Sequence, residues 1–315
     1  MRAVACPAAL KGVLSAGDAA AALAEGFARA GAAVDAAPLA DGGEGTIEVL
    51  GAALGGDRRS ARVSDPLGRP IEARWLLLPD GPAVVESAQA IGLARLTREE
   101  LDPMRASSRG LGELITAALE TGPRELLVGL GDTATVDGGA GLREVFDSAP
   151  VPLTVLCDVR NPLLDAARVF ARQKGASPEQ IDELERRLLA AAELRPYVDL
   201  PGAGAAGGLG AALAALGATL VPGAAYVIEA VGLRERIRGA DLVVTGEGTI
   251  DRTSLEGKVT GTVFRLCREE GVRCAVFGGR VEEPPPGAEA HELSGNPARA
   301  REDLVALGER LGRPS

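Results

Sequence analysis

Apolar and polar positions along this chain follow two periods, and the changes between them mark its elements. Residues 2–6 (RAVAC) form a short apolar run typical of a buried strand. Residues 15–31 (SAGDAAAALAEGFARAG) have helical spacing, with Ser15 placed as N-cap, Asp18 three residues on, and Gly31 as terminator. Residues 33–39 return to extended character. Over 58–86 the period falls to two, interrupted by turn sequences at 65–68 (DPLG) and 79–82 (PDGP), which predicts antiparallel strands. An amphipathic helix is expected over 110–120, then strands over 124–130 and 152–158. Residues 177–194 read as a helix with Ser177 at N-cap and Pro178 at N1, and 209–217 as another. A strand over 240–248, a helix over 258–271 and a strand over 272–279 follow.

Strand–loop–helix alternation at both ends, with β-rich material between, predicts an α/β chain: a parallel Rossmann-like domain into which a second α/β domain is inserted. The expected boundaries are 1–60 with 225–315 for the discontinuous parallel domain and 61–224 for the insert, with an active-site cleft between them.

Composition narrows the chemistry. A 315-residue chain that is 46% hydrophobic can bury a large core, and a formal charge of −10 disfavours nucleic acid and anionic lipid as partners. The single histidine, His291, excludes a His-rich metal site and leaves a Ser-His-Asp or Cys-His device one poor candidate. Cys6, Cys157, Cys267 and Cys274 are too scattered for a disulfide framework, so the compartment reads as reducing. No secretory signal and no apolar run long enough to span a bilayer is evident, and the expected location is cytoplasmic. One Trp, two Tyr and five Phe are too few for base-stacking platforms or aromatic sugar grooves.

Glycine is in excess, at 42 residues, and is concentrated in blocks at 41–46 (DGGEGT), 129–141 (GLGDTATVDGGAG), 202–210 (GAGAAGGLG) and 245–251 (TGEGTID). Residues 202–207 match Gly-x-Gly-x-x-Gly, but Pro201 precedes them directly and 197–200 make a poor central strand, which argues against a dinucleotide fingerprint. Walker and protein-kinase motifs are absent. The recurring pattern is Asp or Glu inside glycine-rich loops next to strand ends: Asp41, Glu44, Asp137, Asp158, Glu247 and Asp251. Side-chain-free loops let amides converge on an oxyanion while nearby carboxylates hold Mg²⁺ or take a proton, which suits phosphoryl transfer. The competing reading is that Asp and Glu favour glycine turns for their own backbone bonds.

These strings, together with 38–46 (PLADGGEGT), 66–70 (PLGRP), 102–115 (DPMRASSRGLGELI), 157–164 (CDVRNPLL), 171–179 (ARQKGASPE) and 241–258 (DLVVTGEGTIDRTSLEGK), resemble the type I glycerate kinases, the bacterial glycerate 2-kinase group. The resemblance implies a two-domain enzyme that moves the γ-phosphoryl of ATP to a hydroxyl of glycerate with Mg²⁺, most simply giving 2-phosphoglycerate. Its partners are then a small-molecule substrate and a nucleotide, and a homodimer is left open. By the same resemblance Asp137 is the candidate base and Lys11 an ammonium for phosphate or carboxylate. Asp41, Gly42, Gly43, Glu44, Gly204 and Gly207 become anion-loop residues. Asp158, Asn161, Arg69, Arg105 and Lys258 become substrate or phosphate contacts, and Glu247 and Asp251 the metal ligands. The rival reading of Asp137 is a cap on the following helix.

Three departures stand out. Where the group has Pro-Asp-Ser-Phe-Lys-Gly, this chain has Pro7-Ala8-Ala9-Leu10-Lys11-Gly12. Where it has Gly-Ser-Ala-Thr-Asn-Asp, this chain has Asp132-Thr133-Ala134-Thr135-Val136-Asp137. A segment between Phe146 and Val151 is missing. A second expectation therefore accompanies the first: a kinase-like protein that binds a small hydroxy acid or nucleotide without turnover.

Overall fold

The computed structural model describes residues 1–255 and 257–313. Along the chain its strands are β1 (Arg2–Ala5), β2 (Ala33–Ala36), β3 (Asp57–Ser64), β4 (Pro70–Leu77), β5 (Pro82–Glu86) and β6 (Glu125–Leu130). They continue with β7 (Leu153–Cys157), β8 (Thr219–Pro222), β9 (Leu242–Ile250), β10 (Cys274–Val281) and β11 (Glu289–Glu292). The chain divides into two compact units. One comprises 1–41, 48–53 and 224–315, and the other 42–47 and 54–223.

In the first unit, all strand pairs are parallel and the order is β11-β10-β9-β1-β2. Ala3, Val4 and Ala5 are fully buried, as a central parallel strand covered on both faces requires. The chain leaves β1 for β2 on one side and later enters β9 on the other, so the β1/β9 boundary is a topological switch point, where open α/β sheets leave a crevice at the strand C-termini. The helix Ala16–Arg29 covers one face, with Ser15 Oγ accepting from the Asp18 amide at 3.0 Å and Gly31 following in left-handed conformation. It packs against the C-terminal helix Ala300–Gly312, the two backbones meeting where Gly26 and Gly308 carry no side chain. Leu23, Phe27, Leu304 and Phe277 centre this core.

The second unit holds a mixed sheet, β3-β4-β5-β6-β7-β8, antiparallel through β5 and parallel from β5 to β8. The 65–68 turn closes the β3/β4 hairpin, with Asp65 Oδ1 accepting from the amides of Leu67 and Arg69 at 2.8 and 2.9 Å. Trp75, Leu114, Ile115 and Val128 lie in the main core, and a smaller one forms around Leu163, Leu184, Leu188 and Leu194. The latter rests on the helix Pro178–Ala190, whose Ser177–Gln180 capping box and Pro178 start it as the sequence implies. That helix stops at Ala190 rather than near 194, because the chain turns into a 3₁₀ segment, Ala192–Tyr197, that contains Pro196. Among the described residues no helix is long and apolar enough to cross a membrane.

Candidate active site

In the second unit the glycine loops gather at the C-terminal edge of β5, β6 and β7. Gly42 lies against Leu156 of β7, and its carbonyl sits where a methyl on Gly129 of β6 would have to be, at 2.3 Å. A methyl on Gly131 would come within 3.0 Å of both Gly43 Cα and Asp158 Oδ2. Two glycine blocks and the acid after β7 therefore share one spot, and the missing side chains are what let them approach. Thr46 folds back to Gly43, its hydroxyl donating to the carbonyl at 2.8 Å, while buried Glu86 accepts from the Ile47 amide at 2.6 Å. Ser87 ties the next loop down by donating to Gly131 O and accepting from Gly131 N.

The loop 131–139 is anchored from both sides. Asp132 adopts φ +53°, the left-handed region, where Asp is among the better-tolerated side chains. Asp137 accepts four hydrogen bonds: from the Ser108 amide and hydroxyl, both at 2.8 Å, and from the amides of Gly139 and Gly141, both at 3.1 Å. Three of those donors converge on Oδ2 and one reaches Oδ1, and they make Asp137 an anchor for the short helix Ala140–Arg143 and for the start of Arg109–Leu119. Asp137 also borders a cavity of about 240 Å³ whose other walls are mostly apolar, including Met104, Val136, Leu184 and Leu194.

Behind the loop lies Lys174, 3% exposed. Its Nζ donates to Thr135 O at 2.8 Å and Thr133 Oγ1 at 3.2 Å. Burial pushes its pKa down to about 8, opposed by the charges of Asp158, Asp137 and Asp132. Sequence reasoning placed Lys174 and Ser108 only inside the matching strings 171–179 and 102–115, without a role, and passed over Glu86 and Ser87. One signal was available: lysine occurs at only three positions, 11, 174 and 258, in a chain whose other cations are arginine.

In the first unit the candidates sit at the β1/β9 switch point. The Ala8 amide donates to Gly246 O at 2.9 Å, and Thr245 Oγ1 donates to Cys6 O at the same distance. The backbone of Lys11 passes Gly248. Glu247 is largely buried, and its Oε1 has no hydrogen-bond partner among the described residues. Burial raises its carboxyl above the usual range, partly offset by Lys258 and the hydroxyls of Thr260 and Ser254, while Asp41 adds to the rise. Asp251 is held low by the Thr253 hydroxyl, at 2.6 Å, and accepts from the Ser254 amide at 3.1 Å, so one oxygen starts the short helix Arg252–Leu255.

The remaining expectations separate. Arg69 is an ion-pair node, with Nε on Asp65 at 2.5 Å and a terminal nitrogen on Glu100 at 2.6 Å, which fixes the hairpin turn. Arg105 and Glu44 are exposed. Asn161 donates to Asp165 at 2.7 Å and its carbonyl receives the Gly204 amide. Gly207, at φ +77°, passes its carbonyl to Gly138 N and lies so close to Thr135 O that a methyl would sit 1.9 Å away. Gly207 thus supports the 131–139 loop from behind, while Gly204 packs against the 161–162 turn. Among the described residues no three or more His, Cys, Asp or Glu side chains form a metal-binding group. The orphaned Glu247 oxygen nonetheless fits Mg²⁺, which commonly takes one or two protein carboxylates and completes its shell with substrate phosphates and water.

The sequence profile of the glycerate kinase family matches residues 3–147 and 145–297. Glycerate 2-kinase of Escherichia coli strain K12 is 40% identical over 85% of this chain and 82% of its own length. Glycerate kinase of Bacillus subtilis strain 168 is 34% identical over 93% and 88%. A crystal structure from Salmonella typhimurium LT2, provisionally assigned as glycerate kinase 2, superposes with a TM-score of 0.82 at 32% identity, covering 99% of this chain and 97% of that one.

Proposed function

This chain belongs to the glycerate kinase family, and from that premise we propose that it transfers the γ-phosphoryl of ATP to a hydroxyl of D-glycerate, with Mg²⁺, releasing 2-phosphoglycerate and ADP. The observation that carries the reading is the meeting of Gly43, Gly131 and Asp158 at one sheet edge. A loop without side chains offers backbone amides to an anion where an acid is already positioned. Phosphoryl transfer through a loose transition state needs placement and charge neutralisation more than a strong base. In this reading Asp137 acts through the loop it anchors. Asp158 and Asn161 contact the glycerate, and Lys11 and Lys258 supply point charges for phosphate or carboxylate. Glu247 is the residue that would hold Mg²⁺, with Asp251 ordering the turn beside it, and an ion held there would supply charge neutralisation for the phosphates.

The test is coupled ADP release with D-glycerate, ATP and Mg²⁺, with the product identified by ³¹P NMR. Glycerate-dependent ADP formation and a 2-phosphoglycerate signal are expected. ADP release no faster than without glycerate would overturn the kinase reading. Ala8, in the loop after β1 where the resemblance puts Asp, favours the second reading of a binder without turnover. D-Glycerate or ATP binding by calorimetry without turnover would establish it.

A further inference from the structure

We propose that Lys174 is a positioning residue that holds loop 131–139 ready for an anion: its buried ammonium pins the loop from beneath and offsets the negative charge of the acids around it. The proposal rests on the phosphoryl-transfer reading, and it concerns a residue buried behind the loop.

The geometry is a charge placed under a loop rather than in the open. Both acceptors of Nζ, Thr133 Oγ1 and Thr135 O, belong to the segment between Gly131 and Asp137. The titratable groups facing the ammonium are Asp132 and Asp137 from the loop after β6 and Asp158 from the turn after β7. Three carboxylates near one loop would repel phosphate and glycerate alike, and one fixed cation offsets part of that field where solvent cannot. The placement itself is built. Gly175, at φ +96°, turns the chain immediately after Lys174, and a methyl there would strike Leu101 O at 2.4 Å. Buried Thr135 keeps an Oγ1 with no partner among the described residues, while its carbonyl is spent on Lys174. Lysine suits this position because it gives a compact charge that burial can bring into titration range, and arginine does not.

Loss of the proton would then both slacken the loop and restore the negative field. The experiment compares the parent with Lys174→Arg and Lys174→Met in three measurements. ¹³C-lysine NMR gives one signal for each of only three lysines, with Lys174 assigned by its loss in the variants. The second is the pH dependence of kcat and KM between pH 6.5 and 9.5. The third is hydrogen exchange of the 131–139 segment. Expected are a Lys174 midpoint near 8, an alkaline fall in parental kcat/KM with the same midpoint, and displacement of that fall beyond pH 9 in Lys174→Arg. In Lys174→Met the KM for glycerate should rise about tenfold or more, and loop exchange should quicken by a similar factor. An ordinary lysine midpoint, or an alkaline limb unchanged in Lys174→Arg, overturns the proposal. If the parent turns over no glycerate, the functional reading fails separately. Loop exchange then decides: a folded Lys174→Met with parental exchange at 131–139 overturns the positioning role, and faster exchange supports it. Should Lys174→Met not fold, the parental titration and Lys174→Arg carry the test.

Discussion

The two units present similar edges, parallel strands ending in glycine loops that carry acids, yet they treat charge in opposite ways. At the β6/β7 edge the charge is answered internally. Asp137 has four donors, Glu86 caps a helix, and Lys174 sits among three carboxylates. At the β1/β9 edge Glu247 is largely buried, one of its oxygens has no hydrogen-bond partner among the described residues, and its raised pKa is only partly offset by Lys258, Thr260 and Ser254. A satisfied network fixes geometry, whereas a buried carboxylate oxygen without a donor raises the free energy of the folded protein. On the proposed reading one edge is a preformed seat and the other a site that Mg²⁺ would complete.

The sharpest way to break this contrast is Glu247→Gln. Turnover should fall at least about 100-fold, roughly 3 kcal/mol of transition-state stabilisation, while the melting temperature of the unliganded protein stays level or rises. A lower melting temperature would mean that Glu247 is structural after all. Asp137→Asn should behave in the reverse sense. The amide nitrogen faces N–H donors, so about 2 kcal/mol of stability is expected to go, visible as a lower urea midpoint with activity lost in step with folding. A large fall in kcat at unchanged stability would instead make Asp137 a base.

pH sharpens the comparison further. Glu247 has a raised folded pKa, so its ionisation costs stability as pH climbs from the ordinary carboxylate range through that higher value; the parent should lose ground against Glu247→Gln over that window. Lys174 is depressed from 10.5 to about 8, so the cost of burying its charge is full below pH 8 and relieved between 8 and 10.5. Over that range the parent should gain against Lys174→Met. Thermal unfolding at closely spaced pH values checks both signs. The smallest effect belongs to Arg69→Gln, which touches neither edge. The hairpin turn should fray slightly in hydrogen exchange, and turnover should stay within about twofold of the parent.

Much of the fold was legible because it is local. Ser15 and Ser177 cap the helices that the apolar spacing announces, and the Asp65 turn joins two strands of period two. Ala300–Gly312 and Thr46–Leu54 went unread. The first begins without a side-chain cap, and the second is apolar enough around its circumference to lack a clear face. Among site residues, motif pattern picked out the glycine loops and their acids but could not say which acids were engaged. The partner that occupies Asp137, Ser108, lies 29 residues away, and the acceptors of Lys174 lie 41 and 39 residues away.

The linear order of apolar runs, caps and side-chain-free turns was enough to determine an α/β chain with acids at strand ends, since those preferences act over a few residues. Which carboxylate gathers several donors, which keeps an oxygen without a partner among the described residues, and which lysine is buried were decided only by the tertiary structure. Desolvation and hydrogen bonding depend on what packs around a group, and that is set by strands distant in sequence.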